Sequence, residues 1–333
     1  MKRAFLFAFS RRGMETAWRI ASGLAPAFDT QVFRPAGNLP ELTARAFREA
    51  DALIFVSACG IAVRAVDPFL RGKEQDPAVV AVDERCGFAV SLLSGHIGGA
   101  NALARRIAAL TGAQAVITTA TDVNGRFAVD EWAARQGLIL TDLQAAKRFA
   151  AEILERDLPI VSDFPLCGEL PPGLIPGAEG GCGLAVTCKA AEPFPVTVRA
   201  VPRVLCLGVG CRRGTSAEAI RQAVAAALKA FGLDARALCG IASIDLKREE
   251  AGLLTYAEQT GLPLAFYAAD RLRGIKGDFT ASSFVEETVG VDNVCERAAV
   301  CLSGEGGRLI VPKQASGGVT VAAAVKKWSV CFE

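Results

Sequence analysis

Apolar positions along the chain come in short unbroken runs. Residues 4–9, 52–58, 79–82, 90–93 and 115–117 are continuous and apolar, as in strands buried on both faces. Between them, residues 42–50 and 102–110 carry apolar positions at helical spacing. Strand and helix patterns in alternation predict a doubly wound, mostly parallel α/β domain over residues 1–138. The pattern then changes. A helix is predicted over 143–155 and a strand over 158–162, followed by a stretch rich in proline and glycine from 165 to 181. Apolar runs at 184–186 and 196–198 read as strands, so 139–202 reads as a small, irregular α+β linker segment. From 203 to 333 the pattern predicts strands over 204–210, 241–245 and 264–267. It predicts helices over 217–230, 253–258, 284–288 and 294–302, and a hairpin of 309–311 with 319–322. That mixture predicts an α/β or α+β domain with a mixed sheet.

Two loops of the first domain concentrate polar chemistry. The chain has one histidine, within Ser94-Gly95-His96-Ile97-Gly98-Gly99-Ala100-Asn101, between a predicted strand and a predicted helix. Glycines there let other groups approach the backbone. The first amides of the helix favour an anion, and an imidazole exchanges protons near neutral pH. The next strand runs into Thr121-Asp122-Val123-Asn124-Gly125. Successive loops at the carboxyl ends of parallel strands place Asp122 and Asn124 near His96. On that reading His96, Asp122 and Asn124 are the catalytic candidates, while Gly98, Gly99 and Asn101 bind substrate. Both loops also read as ordinary turns with helix caps.

The third domain offers cations in glycine loops. Gly208-Val209-Gly210-Cys211-Arg212-Arg213-Gly214 departs from the dinucleotide fingerprint, because Arg213 stands where its last glycine belongs. Two arginines there suit carboxylates or phosphates, since the guanidinium fork pairs with both. Thr215 or Ser216 is expected to cap the next helix. Lys247, Lys313 and Ser316 are further substrate-binding candidates, the last two in a predicted turn over 312–318. Thr280 to Ser283, with Glu286, are expected to form a capping box.

Composition narrows the function. With 37 basic and 35 acidic residues the net charge is +2, so no global field favours nucleic acid. No apolar run reaches the roughly 20 residues needed to cross a bilayer, and the short apolar start reads as a core strand. Eleven cysteines without a C-x-x-C pair point to reduced thiols in a cytoplasmic protein, not to a metal site. Cys211, beside two arginines, is the one thiol singled out. No resident cofactor or metal is expected.

Several long motifs carry a resemblance. SGHIGGANALARRIA and ITTATDVNGRFAVDEWA in the first domain are similar to the amino-terminal domain of the CbiG family, the cobalt-precorrin-5A hydrolases of anaerobic cobalamin (vitamin B12) biosynthesis. VLCLGVGCRRGTSAEAI, CGIASIDLKREEAGLLTYAEQTGLPL and LIVPKQASGGVTVAAAVKKW resemble that family's carboxyl-terminal, CobE-like domain. The resemblance implies a hydrolase acting on a cobalt-bearing tetrapyrrole with many carboxylates. It implies opening of a δ-lactone and release of acetaldehyde, with cobalt carried by the substrate and other cobalamin enzymes as partners. A non-catalytic carrier of corrinoid intermediates is the alternative of another class.

Overall fold

Six strands build the amino-terminal sheet of the computed structural model, which describes residues 1–25, 27–72, 75–282, 287 and 290–332. They are β1 (Lys2–Ala8), β2 (Phe28–Phe33), β3 (Ala52–Val56), β4 (Ala78–Val82), β5 (Phe88–Leu93) and β6 (Gln114–Val116). Their order is β2-β1-β3-β4-β5-β6. All neighbours run parallel except β4 and β5. That reversal is made by a turn in which the Asp83 carboxylate accepts from the Arg85 amide at 2.9 Å and the Phe88 amide at 2.6 Å.

The central strands are buried on both faces, which accounts for their unbroken apolar runs. On one face Phe5, Phe7 and Phe55 pack with Phe33; the Phe7 and Phe55 rings lie 4.9 Å apart. The other face carries helices α1 (Arg11–Leu24) and, later in the chain, α4 (Ala100–Thr111), through Ile20, Leu24, Leu103 and Ile107. Ser10 caps α1 by accepting from the Gly13 amide at 2.9 Å, so the polar Ser10-Arg11-Arg12 break marks a helix start. Helices α2 (Leu39–Glu49) and α3 (Cys59–Val66) lie between these two, and α5 (Ala120–Val123) and α6 (Val129–Gln136) follow α4.

The middle segment is more regular than its composition predicts. It holds β7 (Ile139–Leu140), α7 (Leu143–Glu155), β8 (Leu158–Ser162), β9 (Leu166–Cys167), β10 (Leu174–Pro176), β11 (Cys182–Val186) and β12 (Val196–Val201). Four of these strands form a parallel sheet in the order β10-β8-β11-β12, and antiparallel β7 closes one edge. The glycine- and proline-rich stretch contributes only β9, β10 and their connections, which is why the segment reads as irregular.

The carboxyl-terminal sheet is mixed, as the pattern predicts. It comprises β13 (Leu205–Cys211), β14 (Leu238–Ile244), β15 (Leu264–Tyr267), β16 (Arg308–Ser316) and β17 (Val319–Val325), in the order β15-β14-β13-β17-β16. β13, β14 and β15 are parallel, and β17 is antiparallel to both its neighbours. Helices α8 (Ala217–Ala230), α9 (Ala251–Thr260), α10 (Ala269–Arg273) and α11 (Cys295–Ser303) accompany it, and β18 (Val330–Cys331) pairs with β9. Apart from residue 287, the expected helix over 284–288 falls outside the described residues, as do the Ser283 and Glu286 capping positions. Thr280 is described, and its amide and hydroxyl donate to the Glu296 carboxylate.

Contacts divide the chain into two compact units, Met1–Ala134 with Ile153–Glu155, and Arg135–Glu152 with Arg156–Glu333. The middle and carboxyl-terminal sheets thus belong to one unit. Among the described residues no helix is long and apolar enough to cross a membrane.

One glycine of the second unit is demanded by close packing. A Cβ on Gly208 would stand 1.8 Å from the Cys295 carbonyl oxygen, so α11 lies directly on β13. Gly208→Ala is expected to lower stability by at least about 1–3 kcal/mol, the usual cost of overpacking, read from the denaturation midpoint. An unchanged midpoint would contradict this contact.

Candidate active site

The reversal of β5 decides where the lone histidine lies. β5 and β6 run parallel to each other, so their carboxyl ends share one edge of the sheet. Because β5 is antiparallel to β4, that edge is where β1, β3 and β4 begin. The expected neighbouring loops therefore do meet, but at the edge opposite the carboxyl ends of the other parallel strands.

The loop between β5 and α4 is tightly self-bonded. Ser94 has φ 56° and Gly99 has φ 84°. A serine in the left-handed region carries strain of about 1–3 kcal/mol. Gly99 donates its amide to the His96 carbonyl at 2.9 Å, Ala100 to Ser94 at 3.1 Å and Asn101 to Gly95 at 3.0 Å. The first amides of α4 are thus spent on loop carbonyls, which fixes the backbone that carries His96.

Both imidazole nitrogens face carboxylates. Nε2 lies 2.8 Å from Asp122 Oδ2, and Nδ1 lies 3.2 Å from Asp130 Oδ1. Glu131 Oε2 stands 3.9 Å from Nε2. Burial works against charge on the ring, but the hydrogen bonds to Asp130 and then Asp122 outweigh it and raise the His96 pKa to about 9. His96 is therefore an imidazolium at neutral pH. Burial likewise opposes ionisation of both aspartates. Bonds from Thr119, His96 and Arg105 hold Asp122 below the usual carboxylate range, and His96 does the same for Asp130.

Asp122 is the most heavily bonded group of the cluster. Its Oδ2 accepts from Thr119 Oγ1 and from Asn101 Nδ2 at 3.0 Å, and its Oδ1 accepts from the Arg105 guanidinium. A cavity of about 300 Å³ opens beside the cluster, lined by Ser94, His96, Asn101, Thr118, Thr119 and Asp130 among others. Ligand atoms of His96, Asp122 and Glu131 also lie within 4.8 Å of one another, close enough for a shared cation. In the structure they are joined to one another and to Arg105, Asn101 and Thr119 instead.

The sequence-predicted residues separate into three groups. His96, Asp122 and Asn101 come together, Asn101 as a 1% exposed side chain that steadies Asp122. Asn124 does not join them: its amide donates to the Ala120 carbonyl at 2.8 Å, as a local cap of the short α5. Gly98 and Gly99 line a separate cavity of about 180 Å³ with Lys2, Asp51 and Arg106. With its amide committed to the loop, Gly99 is no oxyanion donor. Asp130, Glu131 and Arg105 were missed. The available signal was two acids opening the helix that follows the Asp122 loop.

In the second unit, Arg212, Arg213, Lys247 and Ser316 gather where β13 and β14 end. The Arg212 side chain lies over Gly318, at the tip of the β16–β17 hairpin that also carries Ser316. Buried Glu250 joins Lys247 Nζ at 3.3 Å to the Gly214 amide at 2.7 Å. Ser216 caps α8 through the Ala219 amide at 3.2 Å. Lys313 is not in a turn: residues up to Ser316 belong to β16, and the Lys313 amide donates to Glu296 Oε1 at 2.6 Å. Burial pushes the Cys211 thiol up, so the flagged cysteine stays protonated. Glu296 is fully buried and accepts from Thr280, Asn293 and Lys313, an arrangement that no motif announced.

Residues 41–122 match the family described as Cobalamin synthesis G N-terminal, and residues 205–324 match Cobalamin synthesis G C-terminus. Over 343 aligned residues the chain is 37% identical to the cobalt-precorrin-5A hydrolase of Salmonella typhimurium, covering 96% of this chain and 97% of that protein. The chain belongs to the CbiG family. A second relative, the cobalt-precorrin-5A hydrolase of Priestia megaterium, is 30% identical over 87% of this chain and 82% of its own length. Protein CobE of a Sinorhizobium species is 35% identical over 121 residues, 36% of this chain and 79% of that protein. Within this CbiG chain, His96 and Asp122 fall inside the amino-terminal match, which ends at Asp122, while Asp130 and Glu131 lie just beyond it.

A single histidine makes its titration directly readable. The imidazole C–H proton resonances are expected to titrate with a midpoint of about 9. Asp130→Asn is expected to move that midpoint down toward the ordinary imidazole range. Because the folded pKa is raised, the stability from this proton is complete below about 6.5 and is lost as pH climbs to about 9. A wild-type midpoint near 6.5 would show that the two carboxylates do not hold the ring.

Proposed function

We propose that the chain hydrolyses the δ-lactone of cobalt-precorrin-5A and releases acetaldehyde, giving cobalt-precorrin-5B. The observation that carries this reading is its likeness, over 96% of its length, to a protein of that named activity. The His96 cluster supplies suitable chemistry. Lactone opening needs a base for water, a counter-charge for the tetrahedral oxyanion and an acid for the leaving oxygen. Asp130, on the cavity wall and ionised, takes the proton of the attacking water. The His96 imidazolium, its two N–H groups held by Asp122 and Asp130, places positive charge beside the developing oxyanion, and the proton that Asp130 has taken passes to the oxygen that leaves as the acyl C–O bond breaks. Asp122 is the positioning residue, keeping the ring oriented and charged.

Fragmentation then runs in the retro-aldol sense. The freed side-chain alcohol gives its proton to the cluster, and its oxygen becomes the carbonyl of acetaldehyde. The carbon–carbon bond to the macrocycle breaks, and its electron pair passes into the ring system and the cobalt. Cobalt enters with the substrate, and water is the co-reactant. The Arg212-Arg213 loop is suited to the peripheral carboxylates, because guanidinium groups pair with them bidentately.

The test is anaerobic incubation with cobalt-precorrin-5A, followed by product mass and trapped acetaldehyde. Macrocycle binding without acetaldehyde would overturn the enzyme reading in favour of a carrier. His96→Ala is expected to slow kcat by roughly 10²–10⁴-fold while the circular dichroism spectrum stays unchanged. Arg212→Ala and Arg213→Ala are expected to raise KM with kcat preserved, as uniform binding contacts do. A fall in kcat at constant KM would reassign those arginines to the chemistry.

A further inference from the structure

A cavity of the second unit lies away from the arginine loop and plays no part in the proposed reaction. Its volume is about 490 Å³, within the range of small-molecule sites. It opens just past the carboxyl ends of β8 and β11, at Asp163-Phe164 and Cys188-Lys189, and is closed by Phe231, Leu233, Arg308 to Ile310 and Val325. β8 and β11 are adjacent parallel strands, with Leu184 opposite Ile160 and Val186 opposite Ser162. The carboxyl edge of such a sheet is where ligands bind.

The walls are apolar and held in place. Trp328 meets the Phe164 ring edge-on at 4.9 Å. Leu233 and Val325 are buried, while Phe231 remains 39% exposed at the rim. The charges are unequal. Asp163 accepts from Thr187 Oγ1 at 2.5 Å and from Lys189 Nζ at 3.2 Å, so the Lys189 charge is balanced. Arg308 has no carboxylate within ion-pair distance among the described residues. Arg308, Lys189 and the buried Cys188 thiol all line this one cavity, so both cations border the same space. Burial keeps that thiol protonated, so the site offers binding and no covalent chemistry.

We propose that this cavity binds a small carboxylate with an apolar body, its acid group on Arg308 and its body against Phe164, Phe231 and Ile310. The space is too small for a whole tetrapyrrole. The ligand is either a free carboxylic acid or one acid side arm of a larger molecule. The inference is independent of the His96 reading, because it uses no residue of that cluster.

The probe is 8-anilinonaphthalene-1-sulfonate, an apolar-bodied anion whose fluorescence rises on binding, titrated into the full-length protein. Saturable binding at one site per chain is expected. Arg308→Glu, at an exposed position of an edge strand, is expected to weaken it about tenfold or more, the worth of one charge-assisted bond. The same variant should leave the thermal midpoint unchanged, and also the binding of uncharged N-phenyl-1-naphthylamine. Phe231→Ala should weaken both probes. Displacement by benzoate identifies a free carboxylate as the occupant; displacement by cobalt-precorrin-5A but not by benzoate identifies a substrate side arm. Absence of saturable binding, or equal affinity in wild type and Arg308→Glu, overturns the proposal.

Discussion

One imidazole held between two carboxylates governs the amino-terminal unit. Each partner alone is costly there. Burial by itself would strip the proton from His96 and would protonate Asp122 and Asp130. Together they reverse both tendencies, because the ring lies 2.8 Å from one aspartate and 3.2 Å from the other. Removing one partner of such a group leaves a buried charge uncompensated, which is more damaging than never having had the pair. The further bonds to Asp122 from Thr119, Asn101 and Arg105 follow the same logic. They spread the compensation over helix α4 and the loop before α5, which holds the carboxylate below its ordinary range.

This cluster exists because β5 turns back on β4. Had β5 continued the parallel order, the His96 loop would share an edge with the loops after β1 and β4. That edge is already engaged in closing the fold: the Ser10 hydroxyl donates to Glu84 Oε1 at 2.5 Å, and Thr16 Oγ1 donates to the Glu84 carbonyl at 3.0 Å. Reversal moves the two polar loops to the free edge, where a cavity can form beside them. The tight turn at Asp83, one β-strand before the His96 loop, is thus a determinant of the site.

Much of this organisation was legible because it is local. Unbroken apolar runs located β1, β3, β4, β5 and β6, and helical periodicity located α4, α7 and α8, the last with its Ser216 cap. The strand β2 escaped, because a half-exposed edge strand such as Phe-Asp-Thr-Gln-Val-Phe has no continuous apolar run. The parallel sheet of the middle segment escaped because its strands are short and separated by proline and glycine. In the site, the His96–Asp122 pairing followed from loops on neighbouring strands. Asp130 did not, because its approach to Nδ1 depends on how α6 returns across the edge, a tertiary matter. Sequence position also overrated Asn124 and Gly99, whose polar groups are satisfied within their own turns.

Both glycine loops that read as anion cradles are already filled from within the chain. In the first, the amides of Gly99, Ala100 and Asn101 bond to loop carbonyls. In the second, the buried Glu250 carboxylate accepts from the Gly214 amide, where an external phosphate would sit in a nucleotide-binding loop. Neither backbone therefore has free amides at these positions to offer a ligand. Under the proposed function, anion recognition then falls to side chains, Arg212 and Arg213 in the second loop, since His96 and Arg105 already face Asp122 and Asp130. Side-chain cations read the number and spacing of carboxylates around a ligand, whereas a backbone cradle encloses one compact phosphate. Loops built this way fit the carboxylate-rimmed macrocycle of the proposed function better than a nucleotide.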